Sequence, residues 1–162
     1  NCIEQRIQRI CYFVSKHCFD IKNISYAQIK YFVESDLIFY PCDIFKLKNK
    51  IILITNSPSW LSEKTWNTLT KSIEESKNIT TIRLYTSIGL PHVAKNKAIL
   101  LNNLFPEMKN FLNCSKEDLI SLGEKIANNI YEFKEKEKHW MIELLKEIQD
   151  LESSNNVFNL FD

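Results

Sequence analysis

A chain of 162 residues, 44% hydrophobic and 25% charged, is long enough to bury a core and has the balance of a globular protein. Two glycines and four prolines argue against β-rich architectures, which need turn residues at short intervals. No apolar run reaches the length of a membrane span, and no signal peptide is visible. The formal net charge of +1 conceals a gradient: residues 1–113 carry 15 basic and 9 acidic side chains, and residues 114–162 carry 6 and 11. A basic body is compatible with nucleic acid without establishing it, and the acidic remainder reads equally as a solvated helix face. The chain opens on Asn1 rather than Met, which suggests a fragment or a trimmed product.

In chain order, Ile7, Ile10, Cys11, Val14 and Cys18 recur at helical spacing and predict a helix over residues 6–18. A polar turn follows, with Ser25 placed to cap a helix over 26–35 whose stripe is Ile29, Phe32 and Val33. Residues 42–47 suggest a short helix or helical turn. The β-branched run 51–55 reads as extended or irregular, and Asn56-Ser57-Pro58-Ser59 breaks the chain. Ser62 then starts a helix over 63–77.

Residues 80–87 predict a helix running into Gly89, and residues 95–104 a second one leaving after Leu90-Pro91-His92-Val93-Ala94. The first N–H groups of that second helix lack intrahelical partners and, with the positive end of the helix dipole, can receive a phosphate. Lys95 and Lys97 stand in its first turn, where a cation opposes the dipole unless an anion is bound. An ordinary surface turn with a glycine past the helix end is the plainer reading. Three similar layouts, around Asn23–Ser25, Ser62–Lys64 and Leu122–Lys125, count against it. Residues 108–113 are short and apolar. Ser115 and Asp118 sit at capping-box spacing before another helix, Gly123 interrupts it, and residues 124–150 read as one or two long helices. Residues 157–162 are expected to fray.

Five cysteines without a CxxC pair argue against a disulfide framework, and Cys11 and Cys18 read as buried thiols on one helix face. Trp60 and Trp66 read as packing residues.

These stretches resemble the C-terminal half of the bacterial-type NAD-dependent DNA ligases. The first, Cys2-Ile3-Glu4-Gln5 through Phe13-Val14-Ser15-Lys16, Asp20-Ile21 and Pro41-Cys42-Asp43-Ile44-Phe45, is similar to the segment leaving that family's zinc finger. Leu61-Ser62-Glu63-Lys64-Thr65 with Ile73-Glu74-Glu75-Ser76-Lys77 is similar to M-G-E-K-S…I-E-A-S-K. The run from Arg83 to Gly89-Leu90-Pro91-His92-Val93-Ala94 resembles R-F-L-Y-A-L-G-I-R-H-V-G, and residues 115–133 resemble the last hairpin. The resemblance covers residues 2 to about 145, and its specificity lies in the order and spacing of four motifs rather than in any one of them.

It implies a mainly α fold of four tandem helix-hairpin-helix motifs (RuvA domain 2-like) over residues 6–150. Residues 1–5 would be the tail of a zinc finger, residues 151–162 a frayed end, and a BRCT domain would be lacking. It implies a domain that closes around nicked double-stranded DNA and grips phosphates through hairpin N–H groups, in replication and repair. The residues so implicated are Asn23, Ser25, Ser62, Lys64, Gly89, His92, Ala94, Lys95, Lys97, Gly123 and Lys125. Cys2 falls on the last zinc ligand, so zinc would require cysteines upstream. NAD and Mg would be bound outside this chain, because the K-x-D-G motif that carries the nucleophilic lysine is absent and the chain alone would not be catalytic. No membrane, a monomer and an intracellular site (cytoplasm or nucleoid, or a viral factory) are the further expectations.

The departures fall on the hairpin glycines: Asn23 and Ser25 replace two, Ser62 one and Ala94 one, which leaves the third hairpin best preserved and the fourth next. Two other readings remain open, a stand-alone helix-hairpin-helix DNA-binding module and a helical protein-interaction domain.

Overall fold

Helices account for most of this chain because apolar stripes at three- and four-residue spacing can be buried only by packing helix on helix. A computed structural model describes residues 2–53 and 58–148, and no strand occurs among them. The chain forms two compact units, Asn1–Asn78 and Ile79–Asp162.

In the first unit, α1 (Cys2–Phe13) buries Ile7, Ile10 and Phe13. It begins earlier and ends earlier than the predicted 6–18, so residues 2–5 form its first turn rather than a separate element. The early stop has a local cause. The Ser15 hydroxyl donates to the Tyr12 carbonyl at 2.6 Å, and the Ser15 carbonyl then receives the N–H groups of Cys18 and Asp20. A serine that bonds nearby backbone competes with helix continuation. Cys18 therefore lies in the following turn and does not share a helix face with Cys11.

The chain folds back so that Phe19 stacks on Phe13 at 4.4 Å between ring centroids, with Phe45 edge-on to Phe13 at 6.1 Å. α2 (Tyr26–Glu34) starts at the predicted cap with a complete capping box. Ser25 Oγ accepts the Gln28 N–H, and Gln28 Oε1 accepts the Ser25 N–H at 2.8 Å. Asp36, at φ 58°, ends it, and the Leu37 and Ile38 N–H groups both turn back to the Phe32 carbonyl.

Asp43 Oδ2 accepts the N–H groups of Phe39 and Tyr40 and so leads into a 3-10 segment, Pro41–Leu53. This corrects the extended reading of 51–55: residues 51–53 continue the 3-10 backbone, and residues 54–57 lie outside the described residues, as do 149–162 with the expected fray. α3 (Glu63–Ser76) starts on Ser62 as predicted and buries Trp66, Leu69 and Ile73. Trp60 packs edge-on against Tyr31 at 5.4 Å, so both tryptophans are packing residues. α1 packs on α2 and on the 3-10 segment, which also carries α3.

In the second unit α4 (Thr81–Ser87) packs on α5 (Lys95–Leu104), and α6 (Met108–Leu112) packs on α7 (Glu124–Ile148). A second 3-10 segment, Glu117–Leu122, also lies against α7. The predicted Ser115–Asp118 box forms, but it opens this 3-10 segment where an α-helix was expected. The Asp118 carboxylate accepts the Ser115 N–H at 3.0 Å and Ser115 Oγ accepts the Asp118 N–H at 3.4 Å. Tyr85 and Phe111 meet edge-to-face at 5.5 Å, and the buried Tyr85 hydroxyl donates to the Phe105 carbonyl at 2.7 Å. Trp140, Met141 and Leu144 of α7 are fully buried.

The α2 box is exposed, so its removal tests local capping without disturbing the core. Ser25→Ala should lower stability by about 1 kcal/mol. Urea unfolding measures it, and an unchanged midpoint would show that the box contributes nothing.

Candidate nucleic-acid interface

The third turn is built by three backbone choices. Gly89 sits at φ 75° and is exposed, and a Cβ built there would meet nothing within 4 Å. Its requirement for glycine is therefore conformational and not steric. Leu90 next to it is buried and anchors the turn, and the Val93 N–H closes on the Leu90 carbonyl at 3.2 Å. His92 takes a second left-handed position at φ 62° and is exposed.

Ala94 then precedes α5 in extended backbone (φ −96°, ψ −170°), the geometry of an N-cap, but its methyl offers no acceptor. No side chain caps the first turn of α5. Lys95 is exposed and Lys97 half-buried on that turn, and Ala98 is buried. Gly89, His92, Ala94, Lys95 and Lys97 are thus gathered at one helix start.

The fourth turn is simpler. Gly123 is exposed at φ 107°, donates its N–H to the Ile120 carbonyl at 2.9 Å and accepts the Ala127 N–H at 2.8 Å. Gly123 has no side chain to cap α7, whose first turn carries exposed Glu124 and Lys125.

The first two turns are occupied differently. Asn23 takes φ 63°, a left-handed position that asparagine tolerates, and its amide donates to the Ser72 hydroxyl of α3 at 2.8 Å. Ser25 is engaged in the α2 box, and Lys22 pairs with Asp20 at 2.9 Å. Ser62 accepts the Thr65 N–H at 3.1 Å and donates to the Thr65 hydroxyl at 3.0 Å, while Lys64 is exposed. These serines satisfy their own helices.

Cys2 is exposed in the first turn of α1, and among the described residues no group of three His, Cys, Asp or Glu side chains could hold a metal. Structural zinc needs four ligands, so the single thiol present does not by itself fit one. Burial pushes the Cys114 thiol above its ordinary pKa, and burial followed by the Glu4 charge does the same for Cys11. Neither is an activated nucleophile.

Sequence reasoning missed Lys134, which is 0% exposed. Its position was the available signal: it stands four residues after Ile130 and seven after Ala127, on the apolar stripe of α7. No helix among the described residues is long and apolar enough to cross a membrane.

The fold and its turns define a mainly helical chain that presents helix starts on exposed, glycine-bearing turns. No family-wide sequence profile matches it. Over most of its length it is similar to curated DNA ligases. That of Rickettsia canadensis (strain McKiel) is 32% identical over 168 residues, covering 93% of this chain and 24% of the ligase. That of Sulfurihydrogenibium azorense is 36% identical over 152 residues, covering 91% and 21%. That of Rickettsia prowazekii (strain Madrid E) is 33% identical over 150 residues, covering 82% and 22%. The chain is homologous to a segment of DNA ligase, in the manner of a C-terminal portion, and spans about a quarter of the length of these relatives.

The Asp118 carboxyl is held below its usual range, first by the Ser115 backbone N–H and then by the Ser115 side chain. A carboxyl whose folded pKa is depressed stabilises the fold above its unfolded value, about 3.9, and loses that contribution as pH falls through the folded value. Wild type should therefore lose more stability than Asp118→Asn between pH 6 and pH 3 in thermal melts. Equal losses would remove Asp118 from the pH dependence.

Proposed function

We propose that this chain is the DNA-gripping portion of an NAD-dependent DNA ligase. It holds nicked double-stranded DNA through backbone phosphates while domains outside this chain carry out sealing with NAD and Mg. A zinc site completed by Cys2 with cysteines outside this chain belongs to the same reading, as do a monomeric state and an intracellular location.

One observation carries the reading: the uncapped first turn of α5 behind left-handed Gly89 and His92, with Lys95 and Lys97 beside it. Two cations at the positive end of a helix dipole are unfavourable until an anion arrives, and open N–H groups at the same place supply its hydrogen bonds. Such contacts fix position on the duplex and carry no sequence information, as sealing at arbitrary sites requires. Residues 79–113 also hold four basic side chains (Arg83, Lys95, Lys97, Lys109) against one acidic, Glu107. The Gly123 turn with Lys125 is the second contact. The first two turns, whose serines cap their own helices, contribute less to the grip.

That self-capping also favours a second reading, a helical protein-interaction domain. Salt separates the two, because phosphate contacts give log K falling linearly with log salt at about −0.9 per phosphate neutralised, whereas an interaction domain gives no such binding.

In an anisotropy titration with a nicked duplex, Gly89→Val should weaken binding by about tenfold with the far-ultraviolet dichroism unchanged. A β-branched residue at φ 75° costs on the order of 1–3 kcal/mol. Unchanged affinity would remove the third turn from the interface.

Ala94→Asp gives a sharper contrast. The backbone already has cap geometry, so the new carboxylate should stabilise the fold by about 1 kcal/mol. It should also close the N–H groups and weaken DNA binding by at least about tenfold, since a one-decade loss is 1.4 kcal/mol. Stability and affinity rising together would defeat the reading.

A further inference from the structure

Lys134 places a charge on the buried stripe of α7, beside Ala127, Ile130 and Met141. Its ammonium has three donors and three acceptors: the Cys114 carbonyl at 2.9 Å, the Leu112 carbonyl at 3.4 Å and Glu135 Oε1 at 2.7 Å. It also lies 4.5 Å from the Tyr131 ring centroid. Leu112 ends α6, so its carbonyl is among those a helix terminus leaves without an intrahelical partner, and the Cys114 carbonyl follows two residues on.

An apolar side chain could fill the same volume without burying a charge. What the ammonium adds is registry. Methyl groups tolerate sliding of one backbone along another, whereas two converging hydrogen bonds, to the Leu112 and Cys114 carbonyls, hold a single placement of residues 112–114 on α7, and Glu135 of the same helix takes the third donor.

That placement reaches the fourth turn. Cys114 is followed by Ser115, whose reciprocal bonds with Asp118 open the 3-10 segment Glu117–Leu122. The segment ends at Gly123, where the carbonyl is held by the Ala127 N–H of α7 at 2.8 Å. The 3-10 segment is therefore fixed to one helix at both ends, by Lys134 before it and by Ala127 after it.

We propose that Lys134 is the positioning residue of the Gly123 turn: it touches no ligand, but sets the orientation in which that turn meets a phosphate. This rests on the phosphate-grip reading above. Lys134→Met in the 162-residue chain, titrated with nicked duplex across a salt series, should bind about tenfold more weakly at fixed salt. Its slope of log K against log salt should be shallower by about 0.9, the value for one lost phosphate. Partial unfolding would lower the apparent affinity but leave the slope of the folded fraction unchanged. Gly89→Val should cost the same factor in this background as in wild type, because the two turns grip separately.

Amide exchange gives a readout without DNA. In wild type the Asp118 and Gly123 N–H groups should be protected, and in Lys134→Met they should exchange at least about tenfold faster while the α4 and α5 amides do not change. If the variant does not fold, the wild-type protection and the milder Lys134→Gln decide. Rapid wild-type exchange at Asp118 and Gly123, or a folded variant with unchanged slope and exchange, overturns the proposal. Wild type lacking salt-dependent binding overturns the grip reading on which it stands.

Discussion

Every helix opens with N–H groups that none of its own residues can accept, and the way each start is satisfied sorts the turns of this chain. α2, α3 and α4 follow Ser25, Ser62 and Thr80, and in each case the hydroxyl takes an N–H of the first turn. The second 3-10 segment has its Ser115–Asp118 pair. α5 follows Ala94 and α7 follows Gly123, which bring no acceptor. The α5 and α7 starts belong to the second unit, as does that of α6, where Glu107 also makes no side-chain cap bond, but only the first two follow a glycine at positive φ. A hydroxyl at either place would satisfy the helix and close the turn. The helix starts left least stabilised by the fold are therefore those best able to take an external anion, a compromise typical of functional positions.

An exposed turn holds its shape only if something beneath it is anchored. Phe19 and Ile21 are buried inside the first turn, Leu90 inside the third and Leu122 at the entry to the fourth. Polar or glycine residues alternate with these anchors and face outward. The first turn is further tied by the Asn23–Ser72 bond, which uses the side chain of the residue standing in a left-handed position. Non-glycine residues pay a conformational cost there of roughly 1–2 kcal/mol. Asn23 recovers part of it through that bond, and His92 stands exposed at φ 62°. Before the fourth turn, the buried Lys134 adds a bond to the Cys114 carbonyl to the apolar anchor Leu122.

Much of this was legible in the sequence where a local rule decides alone. The Ser25 and Ser62 caps were read at the right residues, the Ser115–Asp118 bonds form although Lys116 is the N-cap of the 3-10 segment there, and residues 95–104 form a helix with those bounds, because apolar spacing and cap chemistry are properties of a few consecutive side chains. The failures occurred where distant packing or a competing hydrogen bond intervened. The apolar spacing continues to Cys18, but the Ser15 hydroxyl and the stacking of Phe19 on Phe13 end α1 at Phe13. β-branched residues 51–53 read as extended, yet they continue a 3-10 segment. At the candidate interface, the glycine-bearing turns were visible, but the absence of a cap at Ala94 gains meaning only beside the capped helices, and Lys134 looked like one of many solvated lysines on an acidic-and-basic helix.

Glycine content alone is thus a poor guide to what a turn of this kind can do. Asn23 shows that the left-handed backbone survives without glycine, so the loss of glycine at that position does not by itself abolish the geometry. What separates the first turn from the third is the capping of the helix that follows: a serine side chain in one case, no side-chain cap in the other. On the proposed reading, the same reasoning accounts for a polyanion grip by a chain of net charge +1. Attraction between whole molecules scales with net charge and is screened within about 10 Å at 0.1 M salt, whereas an amide in contact with a phosphate oxygen acts inside that distance. Contact through backbone requires placement more than charge, and on the proposed reading the buried anchors and Lys134 provide that placement.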